Sequence, residues 1–342
     1  MDEMDTILCA LVKALQPPPE EEHRQAKALE QVESLLKAAW PQAEVILFGS
    51  AANGLAVRGT NDLDICLQLP PSFDSQESKA EAAVAVAEKA REAGMEDVVD
   101  LPGARIPVVK FCLPHSPWHI DVTINNALAC ANTRLLAAYS AVDPRFAQLV
   151  RVVKHWAKQR RVNESYTGTL SSYCYALMCV HLCQTRRPPI LPSLQMLPHQ
   201  PKPKVNDWDV SYYENTASLQ GFGSQNNQRL SDLVWDFFEY WAWRHDYRNA
   251  VISVRTASTL TKAYKGWAQR VGRDRHLVCI EDPFELSHDL GRTVDKQTSG
   301  VLRKEFLRAA TILRDQPNPL NMLFEPFRGR HVGTQEVKPV LP

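Results

Sequence analysis

The chain has 342 residues, of which 44% are apolar and 23% charged, and its formal net charge at pH 7 is zero. This composition is typical of a globular protein long enough for two domains with sizeable cores. The zero net charge argues against broad nucleic-acid binding through bulk charge, so an RNA partner would need a local basic patch. The apolar runs are too short to span a membrane and no signal peptide is evident, so we expect no membrane partner.

The predicted elements change character along the chain. An amphipathic helix is predicted over 20–39, after the prolines at 17–19, and short strands and turns are predicted over 43–124. The remaining pattern is typical of helices over 133–141, 144–160, 169–185, 229–245, 258–271 and 298–315. The proline-rich stretch 186–228 is predicted to be an extended surface excursion, and residues 316–342 an extended tail.

The strongest functional signal follows the first predicted strand. Val45–Phe48 is an apolar run that ends in Gly49 and Ser50, and a second strand begins with Asp62 and Asp64. Alternate residues of a strand face the same side, so these two acids are predicted to project together. Adjacent carboxylates repel each other unless a cation lies between them, and hard oxygen ligands suit Mg²⁺ or Mn²⁺. The glycine–serine turn offers N–H groups and a hydroxyl for a phosphate.

A third carboxylate, Asp121, lies between Ile120 and Val122 in a strand predicted over His119–Ile124. An acid in an apolar strand is costly unless it is paired or ligates a metal. Three carboxylates on neighbouring strands fit two-metal phosphoryl or nucleotidyl transfer. Taken alone, the glycine–serine turn and the pair of acids are much more often a loop and a solvated strand edge, so the prediction depends on the third carboxylate.

The eight cysteines are predicted to be reduced thiols. Cys174, Cys179, His181 and Cys183 are potential zinc ligands, but they lie in one apolar helical run and match no zinc-knuckle spacing. Core cysteines are the preferred interpretation.

Together these residues resemble the DNA polymerase β-like nucleotidyltransferases, and more narrowly the terminal uridylyltransferases and non-conventional poly(A) polymerases. The resemblance covers most of positions 25–315, with the motifs in the family's order. Its motifs are Phe48–Asp64, Arg105–Phe111, Asp121, Val153–Lys158, Gly168–Tyr173 and Ile280–Arg292.

The resemblance implies a two-lobed α/β (α+β) fold, with the nucleotide in the cleft between the lobes. It implies a small mixed-sheet nucleotidyltransferase palm at 39–131 and a larger helical PAP-associated domain formed by 1–38 and 132–318. Residues 319–342 would form an extended C-terminal tail.

The resemblance also implies catalytic roles for the acids. Asp62 and Asp64 would bridge two Mg²⁺ (or Mn²⁺) ions, and Asp121 would hold the ion that activates the RNA 3′-hydroxyl. Triphosphate contacts are implied for Ser50, Lys154, Lys158 and Ser172. The residues alone leave structural alternatives open, namely a turn cap for Ser50 and a solvated helix face for the lysines.

Further nucleotide contacts are implied at the base and the ribose. Tyr173 would stack on the base, and Asn132 and Thr133 would contact the ribose and base. The structural alternatives are a core aromatic for the tyrosine and a helix cap for the other two. The remaining implied nucleotide-binding residues are Phe48, Gly49, Asp282, Glu285 and His288.

The function predicted is template-independent addition of UMP from UTP to single-stranded RNA 3′ ends, because a histidine at the position of His288 marks UTP-using members of the family. The alternatives are a poly(A) polymerase that uses ATP and a non-catalytic RNA-binding member. The three retained acids argue against the latter, and Ile280–Arg292 argues against a small-molecule nucleotidyltransferase.

Basic side chains are the candidate contacts to RNA. The basic clusters that could contact RNA are Arg160–Arg161, Arg186–Arg187, Lys262, Lys265 with Trp267, and 270–275. A protein partner that delivers the RNA is a further expectation. No basic targeting signal is evident, so a cytoplasmic protein is expected, with the nucleus as the alternative.

Overall fold

The computed structural model describes residues 2–270 and 274–329. The chain divides into two compact units. We call Ala14–Ala138 with Pro203–Val210 the sheet unit, and Met1–Lys13 with Tyr139–Lys202 and Ser211–Pro342 the helical unit. The predicted α+β class with two units is confirmed.

The sheet unit contains a five-stranded sheet of order β1-β2-β5-β4-β3. β2 and β5 run parallel, and the other neighbouring pairs are antiparallel. The sheet is therefore mixed, as predicted. Its strands are β1 (Glu44–Phe48), β2 (Asp62–Gln68), β3 (Glu96–Leu101), β4 (Val108–Cys112) and β5 (His119–Ile124).

Two helices pack on this sheet, α2 (Pro19–Ala39) and α3 (Gln76–Glu92). The buried stripe of α2, Ala28, Val32 and Leu36, belongs to the sheet's core cluster. The resemblance implies that residues 1–38 belong to the helical lobe. In the structure the segment up to Lys13 belongs to the helical unit, whereas this stripe of α2 packs with the sheet. Sequence patterning missed α3, whose buried face is mostly alanine and gives a weak apolar signal: Ala82, Ala83, Val86, Ala87 and Ala90.

The helical unit is built around aromatic side chains. The Trp156 ring lies 4.8 Å from the Phe238 ring and 5.3 Å from the Phe306 ring. The helices are α1 (Asp2–Leu15), α4 (Ala127–Val142), α5 (Pro144–Gln159), α6 (Ser172–Thr185), α7 (Leu230–Glu239), α8 (Lys262–Lys265), α9 (Lys296–Asp315) and α10 (Pro319–Leu323). α4 begins in the sheet unit, and its residues from Tyr139 onward count with the helical unit.

The helix predicted over 258–271 is wrong. Ser258–Thr261 forms strand β7, which pairs with β6 (Ala250–Ser253), and β6 also pairs in parallel with β8 (Cys279–Ile280). The pairing of β6 with both strands supplies backbone hydrogen bonds that local helical periodicity cannot anticipate. Only the short helix α8 follows β7, and residues 271–273 lie outside the described residues.

Two other predictions need correction. The stretch 186–228 has no α-helix, as expected, but Ile190, Leu191 and Leu194 are fully or almost fully buried, so it is not simply a surface excursion. Its prolines exclude helix while its apolar residues still pack inward. The predicted extended tail begins with helix α10, because Leu320 and Leu323 are buried. The rest of this predicted tail from residue 330 lies outside the described residues.

Across the described residues, no helix is long and apolar enough to cross a membrane.

Candidate nucleotide and metal site

The three predicted acids lie on one face of adjacent strands. Asp64 on β2 is directly opposite Asp121 on the parallel strand β5, and Asp62 lies two residues before Asp64. Leu63 and Ile120, on the opposite face, are fully buried. Asp121 is therefore not inside the core but on the open face, where it forms an ion pair with Lys110 of β4.

The turn after β1 brings backbone against Asp64. Gly49 has φ +74°, and a Cβ placed there would lie 3.0 Å from Asp64 Cγ and closer still to Oδ2. Glycine is needed at this position both for the left-handed backbone and for the close approach of the carboxylate. The turn and the acids thus form one compact group.

Thr133 holds this turn in place. The Gly49 N–H donates to Thr133 Oγ1 at 2.9 Å, and that hydroxyl donates to Ala129 O at 2.9 Å. Thr133 is buried and lies with Asn132 inside α4, so neither residue is a helix cap. The Gly49 N–H, one of the predicted phosphate donors in this turn, is therefore already hydrogen-bonded to Thr133. The next donors in the turn are the Ser50 hydroxyl and the N–H groups of Ser50 and Ala51, while Phe48 pairs with Asp64 in register.

The remaining predicted residues belong to the helical unit. Lys154 and Lys158 lie on α5, and the first is buried with 8% of its surface exposed while the second is exposed. A solvated face therefore does not describe Lys154. Its side chain is rarely buried without an electrostatic role.

Ser172 and Tyr173 begin α6. Ser171 caps this helix by accepting from the Cys174 N–H, and the Ser172 hydroxyl accepts from Asn163 Nδ2 at 2.8 Å. The Tyr173 hydroxyl is buried and has no hydrogen-bond partner among the described residues. Burial, and next the charge of Asp282, raise the pKa of Tyr173, so it stays protonated. A buried hydroxyl without a partner costs free energy unless a water or a ligand satisfies it.

The loop that carries His288, residues 282–288, is held by hydrogen bonds between its own residues. Asp282 is buried and its carboxylate accepts from the N–H groups of Phe284 and Glu285, both at 2.9 Å. The His288 N–H donates to Glu285 O at 2.8 Å, and the Asp282 N–H donates to His288 O at 3.1 Å. Asp282 therefore shapes the loop that presents His288.

Sequence reasoning missed Glu281, which anchors the same loop. Its side chain is 1% exposed and accepts from Ser253 Oγ and from Lys265 Nζ, at 2.6 Å in the latter case. Lys265 also donates to the Leu286 carbonyl. The available signal was an acid placed directly after the buried strand β8, where a charge needs a partner.

A second group of potential metal ligands lies beside this loop. Ligand atoms of buried His276, Cys279 and Asp289 all lie within 4.8 Å of one another. Asp289 accepts from His276 Nδ1 at 2.8 Å and from two backbone N–H groups, of Ile280 and Gly291. The Lys262 ammonium donates to the His276 carbonyl, so a cation is already present. This group is satisfied by hydrogen bonds and supports the loop.

The core interpretation of the α6 cysteines agrees with the structure. Cys174, Cys179 and Cys183 are buried free thiols. Burial raises the pKa of Cys174 to about 11 and that of Cys183 to about 12, so both thiols are protonated at neutral pH. Protonated thiols are poor metal ligands.

Several basic residues considered for RNA binding are engaged internally. Arg160 forms a buried ion pair with Glu305, and Arg186 pairs with Asp236. Lys262 is 7% exposed, and the side chain of Lys265 is 9% exposed. Both ammonium groups donate to backbone carbonyls. These residues stabilise the helical unit. Residues 271–273 of the last basic cluster lie outside the described residues.

Comparison with known proteins identifies related sequences. The model of the mitochondrial-like poly(A) RNA polymerase central palm domain matches residues 4–141, and the Cid1 family poly A polymerase model matches residues 229–288. Terminal uridylyltransferase cid1 of Schizosaccharomyces pombe is 35% identical over 87% of this chain and 76% of that protein. Poly(A) RNA polymerase cid13 of the same yeast is 34% identical over 83% of this chain. The match spans only 49% of cid13, and 22% of human terminal uridylyltransferase 7.

Solved structures show the same fold. A cytoplasmic RNA terminal U-transferase superposes with a TM-score of 0.85 and 33% identity, covering 96% of this chain and 99% of the other. Cid1 in complex with the UTP analogue UMPNPP has a TM-score of 0.84 and 32% identity, covering 95% of this chain and 99% of the other. Other related Cid1 structures contain the short product ApU, MgGTP or Mg 3′-dATP. The two-lobed nucleotidyltransferase fold is thereby confirmed.

Proposed function

Because the chain belongs to the Cid1-type family of terminal uridylyltransferases and non-canonical poly(A) polymerases, we propose that it is a template-independent RNA 3′-terminal uridylyltransferase that uses UTP. The observation that carries the choice of UTP is His288, whose backbone is fixed by hydrogen bonds with Glu285 and Asp282. An imidazole N–H can donate to the C4 carbonyl of uracil, whereas adenine presents a second donor at the corresponding position.

The proposed metal ligands are Asp62, Asp64 and Asp121. Their carboxylates share one face of β2 and β5, and the Lys110 ammonium at Asp121 shows that this face attracts positive charge. Hard oxygen donors of this kind fit two Mg²⁺ or Mn²⁺ ions. When bound, such ions lower the pKa of an attacking hydroxyl and neutralise a departing pyrophosphate. The three carboxylates would fix where that charge lies.

The proposed nucleotide contacts are hydroxyl, ammonium and amide groups that can donate to the oxygens of a nucleotide. The Ser50 hydroxyl and the lysines of α5, Lys154 and Lys158, would neutralise the triphosphate, with Ser172 at its end. The Tyr173 ring would stack on the base, and its unpartnered buried hydroxyl supports a ligand at this position. Asn132 would contact the ribose 2′-hydroxyl. Thr133, Asp282 and Glu285 would act by shaping the turn and the loop.

The second candidate function is a poly(A) polymerase that uses ATP with the same acids and lysines. It is favoured by the relatives cid13 and cid11, which are poly(A) RNA polymerases 34% and 31% identical to this chain. A non-catalytic RNA-binding role is the third alternative. Single-stranded RNA 3′ ends are the proposed acceptor, with delivery by a partner protein and a cytoplasmic location as further expectations.

The deciding experiment gives the purified protein a labelled oligoribonucleotide, Mg²⁺ and each nucleoside triphosphate in turn. We expect extension with UTP to exceed that with ATP. Faster extension with ATP would assign the poly(A) polymerase function instead. No extension with any nucleotide, while the Asp64→Ala variant binds RNA equally well, would favour the non-catalytic role.

A further inference from the structure

Residues Phe324–Arg328, which we call the C-terminal clasp, lie directly on the end of helix α5. The Phe327 N–H donates to the Gln159 carbonyl at 2.8 Å, and the Phe324 ring lies 5.1 Å from the His155 ring. The last carbonyls of an α-helix have no partner within the helix. The clasp therefore supplies a donor to the helix end from a segment far along the chain.

Arg160, the C-cap residue of α5, is the centre of these contacts. Its guanidinium forms two hydrogen bonds with Glu305, at 2.8 Å and 3.0 Å, and donates to the Glu325 carbonyl at 2.7 Å. It also lies 5.2 Å above the Phe327 ring. The arginine and Glu305 side chains are only 7% and 8% exposed. Removing one partner of such a buried pair is strongly destabilising, because it leaves the other charge buried without compensation.

The clasp is held from its other side as well. Arg308 on α9 donates to the Met322 carbonyl at 2.7 Å and to the Glu325 carboxylate at 3.2 Å. The clasp is thus fastened to α9 and to α5 at once. The contacted α5 residues, His155, Gln159 and Arg160, surround Lys158 in sequence.

We propose that the C-terminal clasp is a positioning element of the nucleotide site, which acts by fixing the last turn of α5 and with it the Lys158 ammonium. This inference rests on the proposed function, in which Lys158 binds the triphosphate. Lys158 is exposed and has a long flexible side chain, so the direction of its charge depends on the order of the backbone that carries it. Helix ends fray, and the clasp adds a donor for the Gln159 carbonyl to the local hydrogen bonds that Arg161 and Val162 already make to the last turn of α5.

A double-mutant cycle tests the proposal in the full-length chain. Phe327→Ala removes the ring beneath Arg160 but keeps the N–H that binds Gln159. We expect it to raise the KM for UTP about threefold to tenfold with kcat changed less than twofold, because a phosphate contact contributes to ground-state binding. The separate variant Phe327→Tyr keeps the ring and should have the wild-type KM. Met322→Ala, at a side chain 43% exposed beside the clasp, is the matched control and should change neither constant.

The second arm of the cycle uses Lys158→Ala. If the clasp acts through Lys158, adding Phe327→Ala to this variant causes no further rise in KM. A general structural role would instead lower the active fraction, and so kcat, equally in both backgrounds. An unchanged KM in Phe327→Ala, when Lys158→Ala does raise it, overturns the inference and leaves the proposed function standing. An unchanged KM in Lys158→Ala removes Lys158 from the site and overturns the inference, whereas the proposed function fails only if the wild-type protein does not extend RNA faster with UTP than with ATP.

Discussion

The Gly49 N–H donates a 2.9 Å hydrogen bond to the Thr133 hydroxyl, across 84 residues of sequence. This bond joins the turn beside the acids to helix α4, and the Thr133 hydroxyl itself donates to the Ala129 carbonyl. The contact gives Thr133 a role as a support for the turn, distinct from the nucleotide contact that the resemblance implies. Mutation can separate these two roles.

Thr133→Val replaces the hydroxyl with a methyl group of similar size and leaves the Gly49 N–H without its acceptor. The free energy of unfolding should fall by about 1–3 kcal/mol, measured by urea denaturation. Thr133→Ser keeps the hydroxyl and should retain most of the stability. A Thr133→Val protein that is fully stable but binds UTP poorly would instead support the direct nucleotide contact.

Gly49 and Gly59 form a natural matched pair. Both have φ +74°, but a Cβ at Gly49 would collide with the Asp64 carboxylate, whereas a Cβ at Gly59 has no atom within 4 Å. Alanine at either position pays the same backbone strain of about 1–2 kcal/mol. We expect Gly49→Ala to lose RNA extension as well, because Asp64 must move, and Gly59→Ala to keep it. Equal activities of the two variants would show that Asp64 tolerates displacement.

The parts of the fold with a regular local period were predictable from sequence. The helices over 144–160 and 298–315 carry clear apolar stripes, and the period-2 pattern placed Asp62 and Asp64 on one face. The strand β7 was mistaken for helix because its partner β6 supplies the hydrogen bonds, and no local window contains that information. The Gly49–Thr133 bond and the partners of Glu281 were unpredictable for the same reason, since each joins distant residues.

The predicted metal-ligand acids should be required for RNA extension and should also lower the free energy of unfolding, because their carboxylates repel one another. Asp64→Ala should abolish extension with any nucleotide while leaving the fold intact, because removal of one carboxylate relieves repulsion with Asp121 on the neighbouring strand. Circular dichroism and urea denaturation should show equal or higher stability. Glu92→Gln, at an exposed helix position, is the control and should be fully active.

Removal of metal should reproduce the loss in the wild-type protein. Extension should stop in excess EDTA and return with Mg²⁺ or Mn²⁺. Substantial activity of Asp64→Ala, or activity that persists in EDTA, would contradict the assignment of these carboxylates as metal ligands.

Two buried histidines predict an acid-sensitive fold. Burial, and next the charge of Arg186, lower the pKa of His181 to about 4. Burial, and next the charges of His181 and Lys262, lower the pKa of His245 to about 3, although the charge of Asp246 acts in the opposite direction. Between about pH 4 and 6.5 the unfolded chain binds protons that the native protein does not, so the free energy of unfolding rises with pH there and levels off above 6.5. The summed effect is on the order of a few kcal/mol.

Urea denaturation at several pH values checks this dependence. His245→Phe should flatten the slope between pH 4 and 6.5, while the exposed His23→Gln is the control. A slope that is unchanged in His245→Phe would place the acid sensitivity elsewhere.

The last prediction concerns the choice of base. His288 lies in a loop held by internal hydrogen bonds. The N–H groups of Phe284 and Glu285 donate to the Asp282 carboxylate, the His288 N–H donates to the Glu285 carbonyl, and the Asp282 N–H donates to the His288 carbonyl. Substitution of the His288 side chain should therefore leave the loop backbone in place. An imidazole that donates one hydrogen bond to the uracil carbonyl, and whose size crowds a purine, should discriminate between UTP and ATP by about 1–3 kcal/mol, or roughly tenfold to a hundredfold. His288→Asn should therefore shift the ratio of kcat/KM for UTP over ATP toward ATP by that factor, measured with one oligoribonucleotide. Ser287→Ala, at the exposed neighbouring residue, should leave the ratio unchanged. If His288→Asn lowers both rates equally, the histidine supports the loop, and base choice must come from another residue.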